Sequence, residues 1–495
     1  MAQLLTALSK SVTSLKHHKL VTRAGIYVFG NTLQQALAFV LIPVYTRFLT
    51  PEDYGITGLT IAVGGVLTTI LGFGIRGGVA RYYYEYKDSP EQLRQFISTN
   101  FVFLVLSAGS ITLALHFWGD SLWSKLTSGG VPFSPYMRLV LWSSYATILS
   151  QVALALYRTR QEAGSYMTAQ VVSFSLNLGA TILFVVGWRM GAEGQLLGRL
   201  IAFASTATVL SVLLLKKWFS PRLRWVHLRS CLMFGLPLVP HLLSGWAINS
   251  VDRLLLEPRI PLAELGRYSL GCQLGLAMSI LVGSINLAWS PYYYSLMEQS
   301  RAPEKRILQA IALYVGAIGG ICLVGGLFST EILLLLTPEQ YHAAAVYVPP
   351  ILFAYLLNGY YFFVVMPLFY YKKTALVPLL TISSALVNVG LNLWWIPHWG
   401  AMGSAWATVV SYALTLVAAY FLGRRWQKVS FPLGKYGIAN GLIFAGILLA
   451  TFGASGSVQF GAFVWKSTLL GLFCVIAYLW LIKPHLKPLG LEQTR

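Results

Sequence analysis

The chain is a succession of apolar segments separated by short polar connections. A membrane-spanning helix needs about 20 mostly apolar residues, and about fourteen segments meet that requirement. They lie at 24–48, 55–80, 97–118, 137–157, 166–188, 193–215, 231–256, 264–290, 306–328, 346–369, 375–396, 401–423, 436–453 and 462–482. No connection between them is long enough for a separate soluble domain. The pattern predicts an all-α, polytopic integral membrane protein of about fourteen transmembrane helices.

The second half of the chain repeats features of the first at one offset. Asn177 stands in a Ser-Leu-Asn-Leu-Gly motif, and Asn388, 211 residues later, stands in Leu-Val-Asn-Val-Gly. Asp53-Tyr54-Gly55 corresponds at the same offset to Glu264-Leu265-Gly266. A constant offset predicts two parallel six-helix repeats. Transporters built from repeats bind substrate where the halves meet and move by rocking one half against the other.

The repeat divides the chain into six predicted regions. In chain order these are a cytoplasmic amphipathic N-terminal segment at 1–20, an N-terminal six-helix lobe at 21–217, a basic cytoplasmic linker at 218–230, a C-terminal six-helix lobe at 231–425, two appended helices at 426–482 and a cytoplasmic tail at 483–495. The appended pair, helices thirteen and fourteen, stands outside the repeat.

Composition and charge narrow the class of protein. Only 11% of the residues are charged, whereas soluble domains carry about 25%, so a soluble enzyme is excluded. The 36 Lys and Arg face 16 Asp and Glu, which gives a formal net charge of +20. With the N-terminus inside, about 26 of the 36 cations fall in cytoplasmic segments, which is the positive-inside pattern. Both termini are therefore predicted to be cytoplasmic, and no basic domain remains for nucleic acid.

No cofactor or metal site is predicted. The four cysteines stand singly in apolar stretches, without metal-ligand or disulfide spacing. Residues 72–78, Gly-Phe-Gly-Ile-Arg-Gly-Gly, spell GxGxxG, but a dinucleotide loop needs a preceding strand. Inside an apolar helix these glycines instead predict close contact with a neighbouring helix.

Several segments resemble a known family. Pro43-Val-Tyr-Thr-Arg-Phe-Leu-Thr-Pro-Glu-Asp-Tyr-Gly55, Ser250-Val-Asp-Arg253 and Ala288-Trp-Ser-Pro-Tyr-Tyr293 resemble polysaccharide flippases of the Wzx type, within the multidrug/oligosaccharidyl-lipid/polysaccharide exporter superfamily. The resemblance covers about 20–425. It implies a transporter rather than an enzyme, one that moves undecaprenyl-pyrophosphate-linked oligosaccharide from the inner to the outer leaflet of the bacterial cytoplasmic membrane by alternating access, for cell-surface polysaccharide synthesis.

The resemblance also implies partners and rivals. The implied partners are the lipid-linked glycan, membrane lipids, and polysaccharide polymerase and chain-length proteins. Because helices thirteen and fourteen depart from a twelve-helix pattern, a lipid II flippase is the closer alternative. A cation-coupled drug exporter of the same superfamily is a second alternative, and a membrane-embedded glycan polymerase or ligase would need a large external loop that the chain lacks.

Charged residues at membrane depth are costly, so each is a functional candidate. Arg76 is predicted to capture phosphate through its planar paired donors, and the alternative is snorkelling towards cytoplasmic headgroups. Arg199 is interpreted as a cavity cation or as an outer-leaflet ion pair with Glu193. Asp252, Arg253 and Arg267 are predicted to form an outer gate, or else a static salt bridge. The Asp and Glu residues all fall in connections or near helix ends, which favours an anionic substrate.

Uncharged polar residues complete the predicted site. The donors and acceptors for sugar hydroxyls, or for interhelical hydrogen bonds, are Asn31, Gln34, Gln35, His241, Asn249, Gln273 and Asn286. Pro237 and Pro240 remove backbone donors and predict a bend in the seventh helix, which serves as a hinge or as a fixed kink.

Overall fold

The computed structural model describes residues 39, 41–300, 302–427, 433–452 and 460–482. All regular elements among these residues are helical, which confirms the prediction of an all-α protein. Ten helices of the described part are long and apolar enough to cross a membrane, so the chain is a multi-pass membrane protein. The predicted amphipathic segment at 1–20 and tail at 483–495 lie outside the described residues. The count of fourteen helices, the repeat and the lobe boundaries stay predictions.

The helices of the first half are numbered here in chain order. They are α1 Ile42–Phe48, α2 Pro51–Leu71, α3 Ile75–Tyr86, α4 Pro90–Leu126, α5 Arg138–Thr159, α6 Ala163–Thr181, α7 Gly191–Trp218, α8 Trp225–Gly235 and α9 Val239–Leu256. Short π-helical segments at Phe133–Met137 and Ile182–Gly187 adjoin α5 and α6, and the 3-10 turn Leu236–Leu238 joins α8 to α9.

The second half continues the numbering. It contains α10 Leu262–Gln299, α11 Pro303–Leu327, α12 Ser329–Leu336, the 3-10 segment Glu339–Tyr347, α13 Val348–Val364, α14 Met366–Tyr370, α15 Leu376–Gly423, α16 Leu433–Phe452 and α17 Phe460–Ile476, followed by the π-helical Ala477–Ile482. The 48 residues of α15 contain a break at Gly400, where φ is 54° and ψ is −138°. That backbone conformation favours glycine, so Gly400 separates the windows predicted at 375–396 and 401–423.

The described residues form two compact units. The first contains Leu59–Leu243, and the second contains Ile42–Gly58 and the chain from Ser244 onward. The chain therefore passes from one unit to the other within α2, after Gly58, and within α9, after Leu243.

In the first unit, glycines bring α3 and α8 into backbone contact. Gly74 precedes α3 with φ at 67°, a conformation that other residues rarely adopt. A Cβ atom on Gly235 would lie 2.7 Å from the Gly74 carbonyl oxygen, and one on Gly78 would lie 3.0 Å from the Cys231 carbonyl oxygen. The predicted role of the glycines at 72–78 in close helix contact is confirmed.

In the second unit, the start of α2 packs against α10. Thr50 and Asp53 cap the helix reciprocally: the Thr50 amide donates to Asp53 Oδ2 at 3.1 Å, and the Asp53 amide donates to Thr50 Oγ1 at 3.2 Å. A Cβ on Gly55 would lie 3.2 Å from the Gly266 nitrogen. The two motifs related by the 211-residue offset therefore contact each other directly.

Candidate functional site

Arg76 lies in the first turn of α3 and is exposed. The neighbouring Ile75 and Val79 are buried in the core cluster of the first unit, so the helix face beside the arginine is fixed by packing. Its helix packs against α5, which places the guanidinium near enough to that of Arg158 for the two positive charges to repel each other. The residue singled out from the sequence thus lies on a surface that a second arginine shares.

Arg158 lies in the last turn of α5, with its guanidinium carbon 5.7 Å from the ring centroid of the buried Tyr166. The carboxylate nearest to it along the chain, Glu162, is instead paired with Arg160 at 2.9 Å. Neither Arg76 nor Arg158 forms an ion pair with any carboxylate of the described chain. This surface of the first unit therefore carries uncompensated positive charge.

Arg199 lies on α7, in the same unit. Its guanidinium carbon is 5.3 Å from the ring centroid of Phe203, and the residue is half-buried. An aromatic face stabilises a cation without neutralising it. Its role as a cavity cation stays a prediction.

The second unit holds a different kind of charged cluster. The Asp252 carboxylate on α9 accepts three hydrogen bonds. One comes from the Tyr268 hydroxyl, one from the Arg253 amide at 2.9 Å and one from Arg253 Nη1 at 3.1 Å. The Asp252 and Arg253 side chains are only 6% and 12% exposed, so this ion pair is largely shielded from solvent. The Tyr268 hydroxyl also lies 3.2 Å from Ser404 Oγ on α15. The charge of the Asp252 carboxylate is therefore neutralised by Arg253, and its oxygens accept hydrogen bonds from Arg253 and Tyr268.

Asn249 extends the same cluster by one turn of α9. Its Oδ1 atom accepts hydrogen bonds from the hydroxyls of Tyr355 at 3.2 Å and Tyr412 at 3.3 Å. Its backbone carbonyl oxygen accepts a hydrogen bond from Arg253 Nη1 at 2.7 Å. Arg267, the third residue of the predicted gate, donates instead to the Gln340 carbonyl at 2.9 Å.

The remaining predicted residues lie on several elements. Gln273 on α10 accepts a hydrogen bond from Tyr54, whereas His241 on α9 and Asn286 on α10 are half-buried. Pro237 lies in the 3-10 turn before α9, and Pro240 lies in the first turn of α9, so the type of helix changes at these prolines, and their role as a hinge or fixed kink stays a prediction. Asn31, Gln34 and Gln35 lie outside the described residues.

Sequence reasoning missed the partners of these charges. Arg158 is not among the site residues predicted from the sequence, and neither are Tyr268, Tyr355 and Tyr412, which supply hydroxyls to the second-unit cluster. One signal was present. Arg158 and Arg160 stand near a single acid, Glu162, so one arginine had to remain unpaired locally.

Comparisons with known proteins agree with this architecture. Residues 20–297, more than half of the chain, match the model of the family described as "Polysaccharide biosynthesis protein". A protein of the Lsg locus of Haemophilus influenzae is 24% identical over 284 residues, which cover 56% of this chain and 66% of that protein. The lipid III flippase of Escherichia coli is 24% identical over 207 residues, which cover 41% of this chain and 48% of the flippase. The matches thus span less than two thirds of either relative.

Solved structures share the fold at low sequence identity. The lipid II flippase MurJ, in an inward closed conformation, aligns with a TM-score of 0.68 and 14% identity over 92% of this chain and 99% of MurJ. An inward-facing multidrug resistance MATE transporter of the MOP superfamily aligns with a TM-score of 0.65 and 16% identity over 79% of this chain and 94% of the transporter. The fold that the resemblance implies is confirmed, and the chain belongs to the polysaccharide biosynthesis protein family.

Proposed function

We propose that the protein flips saccharides linked to a polyprenyl diphosphate from the inner to the outer leaflet of the bacterial cytoplasmic membrane, for cell-surface polysaccharide synthesis. The observation that carries the proposal is Arg76. An exposed arginine in a membrane protein, with no carboxylate partner among the described residues, suits an anionic cargo. Family membership and the names of the lipid II and lipid III flippases support the same class of cargo.

The cargo has three parts with different needs. The polyprenyl tail stays in lipid, because it is as apolar as the bilayer. The diphosphate needs cations, which Arg76 provides through paired N–H donors, with Arg199 as a second cation along the path. The saccharide needs hydrogen-bonding groups, and the residues proposed for it are Asn31, Gln34, Gln35, His241, Asn249, Gln273 and Asn286.

The proposed movement is alternating access. Asp252 and Arg253 form the outer gate with Arg267, and Pro237 with Pro240 forms a hinge. The chain passes between the two units after Leu243, three residues beyond Pro240, which supports a hinge at this point. Both termini are proposed to be cytoplasmic, and polysaccharide polymerase and chain-length proteins would receive the product.

A drug exporter of the same superfamily is less well supported. Transport of a cationic drug is expected to use a carboxylate at membrane depth that is available to the cargo. The buried Asp252 is bonded to both Arg253 and Tyr268, so its charge is already neutralised. The structure therefore favours the anionic cargo over the cationic one.

Translocation in proteoliposomes tests the proposal. The purified protein is reconstituted with undecaprenyl diphosphate carrying a fluorescent N-acetylglucosamine, and external dithionite reduces only label in the outer leaflet. Proton and sodium gradients are imposed in separate samples. We expect protein-dependent conversion of protected label to accessible label, no transport of a cationic dye, and slower movement of lipid II. Dye transport without movement of the diphosphate lipid would support the drug-exporter alternative instead.

A further inference from the structure

We propose that Arg158 and Tyr166 complete, with Arg76, a binding site in the first unit that selects a diphosphate over a monophosphate. The identity of the natural ligand rests on the proposed function. The capacity of the three side chains to bind a diphosphate does not, and it can be tested separately. Arg76 comes from α3, Arg158 from α5 and Tyr166 from α6. The sequence places Arg158 82 residues after Arg76, so only the fold brings them together.

The first argument is the unbalanced charge. Arg76 and Arg158 are carried by helices that pack against each other, so their positive charges repel, and a folded chain normally places a carboxylate near such a pair. The acid in the adjacent turn, Glu162, is bonded to Arg160, whose guanidinium carbon also lies 5.0 Å from the Trp218 ring centroid. The one local carboxylate is thus held by a different arginine. A bound dianion would supply the missing counter-charge.

The second argument is the orientation of Arg158. Its guanidinium lies over the ring of Tyr166, a residue that is only 3% exposed and therefore fixed in the core. An arginine held against an aromatic ring by a cation–π contact keeps N–H groups available for oxygen acceptors, because the ring accepts none of its hydrogen bonds in the plane of the guanidinium. Tyr166 is thus a positioning residue that holds Arg158 ready for an anion.

The third argument is that packing fixes the spacing of the two arginines. Ile75 and Val79, which flank Arg76 on α3, lie in the same buried cluster as Val152 and Leu156 of α5. Binding therefore requires little rearrangement of the helices that carry the cations. Two separate pairs of N–H donors match the two phosphoryl groups of a diphosphate, whereas a monophosphate engages only one pair.

On the predicted topology, both arginines lie towards the cytoplasmic side, where the inner leaflet presents its lipids. Two sources of phosphate are available there: the diphosphate of a lipid-linked saccharide and the single phosphate of a bulk anionic lipid. The shared chemistry is a phosphate ester, and the number of phosphoryl groups distinguishes the sources.

Ligand binding to the full-length protein in neutral detergent tests the site without requiring transport. Isothermal titration would compare farnesyl diphosphate, farnesyl monophosphate, inorganic pyrophosphate and phosphatidylglycerol. The wild-type protein should bind both diphosphates more tightly than either monophosphate ester. Arg158→Gln should weaken farnesyl diphosphate binding by about tenfold or more, because hydrogen bonds between charged groups are lost. Its effect on farnesyl monophosphate should be much smaller.

Arg424 provides a matched control. Its guanidinium carbon lies 6.0 Å from the Tyr420 ring centroid at the end of α15, in the second unit, so it is an arginine beside a tyrosine ring outside the proposed site. Arg424→Gln should leave farnesyl diphosphate affinity unchanged. Tyr166→Leu should weaken binding, whereas Tyr166→Phe, which keeps the ring, should retain it.

Three results would overturn the proposal: no diphosphate binding by the wild-type protein, unchanged affinity in Arg158→Gln, or equal affinity for phosphatidylglycerol, which indicates contact with bulk headgroups only. If Arg158→Gln does not fold, Arg158→Lys takes its place. That variant keeps the charge, loses the planar paired donors, and should lose the preference for diphosphate. A protein that binds diphosphate but moves no lipid would refute the flippase proposal alone. Transport with unchanged binding in the Arg158 variants would refute only this site.

Discussion

The two units differ in whether their charged side chains are paired with opposite charges. In the first unit, Arg76 and Arg158 share a surface with no carboxylate partner among the described residues. In the second unit, Asp252 and Arg253 form a shielded ion pair that Tyr268 completes with a hydrogen bond. A neutralised cluster is suited to holding helices together or to opening as a unit. An uncompensated cationic surface is suited to a ligand that brings its own negative charge.

The largest stability effect is expected in the compensated cluster. Asp252→Ala leaves the Arg253 guanidinium, 12% exposed, without its counter-charge, and breaking such a pair costs about 3–5 kcal/mol. The unfolding free energy, measured by titration with sodium dodecyl sulfate, should fall by that amount. The double variant Asp252→Asn with Arg253→Gln should recover part of the loss. A change of less than about 1 kcal/mol in the single variant would mean that solvent compensates the pair.

A smaller loss is expected when only the hydrogen bond is removed. Tyr268→Phe keeps the ring but deletes the donor to Asp252, and hydrogen bonds between membrane helices contribute about 0.6–1.7 kcal/mol. The same titration measures it. Tyr292→Phe is the control, because Tyr292 lies on the same helix and is 44% exposed. If both substitutions lower the unfolding free energy equally, the hydrogen bond from the Tyr268 hydroxyl to Asp252 does not stabilise the cluster.

The smallest stability effect is expected at the cationic surface. Arg76 is exposed and unpaired with any described carboxylate, so Arg76→Ala should change the unfolding free energy by less than about 0.5 kcal/mol. The same result is expected for Arg424→Ala, which serves as a second exposed arginine. A loss above about 1 kcal/mol for Arg76→Ala alone would make Arg76 a structural residue and weaken the contrast between the two units.

Much of the architecture was readable from hydropathy, because a spanning helix must be apolar along its whole length. The position of the break in α15 is predictable from hydropathy, since Gly400 lies between two predicted windows. The backbone conformation that causes the break is not predictable in this way, because a positive φ at one glycine does not change the hydropathy pattern. The glycines at 72–78 are predicted to contact a neighbouring helix, and they do, but the prediction of one helix over 55–80 is wrong: α2 ends at Leu71, and α3 begins at Ile75 after Gly74 with φ at 67°.

The partners of the charged residues were less predictable. Asp252 and Arg253 are adjacent in sequence, so their pairing was an available hypothesis. Tyr268 and Ser404, however, approach Asp252 only through the packing of α9, α10 and α15. Arg76 and Arg158 are likewise brought to the same region by the packing of α3 against α5. Periodicity within one helix carries no information on such long-range neighbours.

The central claim is that Arg76, an arginine without a carboxylate partner among the described residues, captures the diphosphate of a lipid-linked saccharide. The most direct test measures translocation in proteoliposomes that contain Arg76→Ala or Arg76→Lys. The quantity measured is the initial rate at which protected label becomes accessible to dithionite. Removing the guanidinium deletes charge-assisted hydrogen bonds to phosphate, so the alanine variant should lose at least about tenfold in rate. The lysine variant should keep part of it, because the charge remains. Translocation by Arg76→Ala at the wild-type rate would contradict the claim.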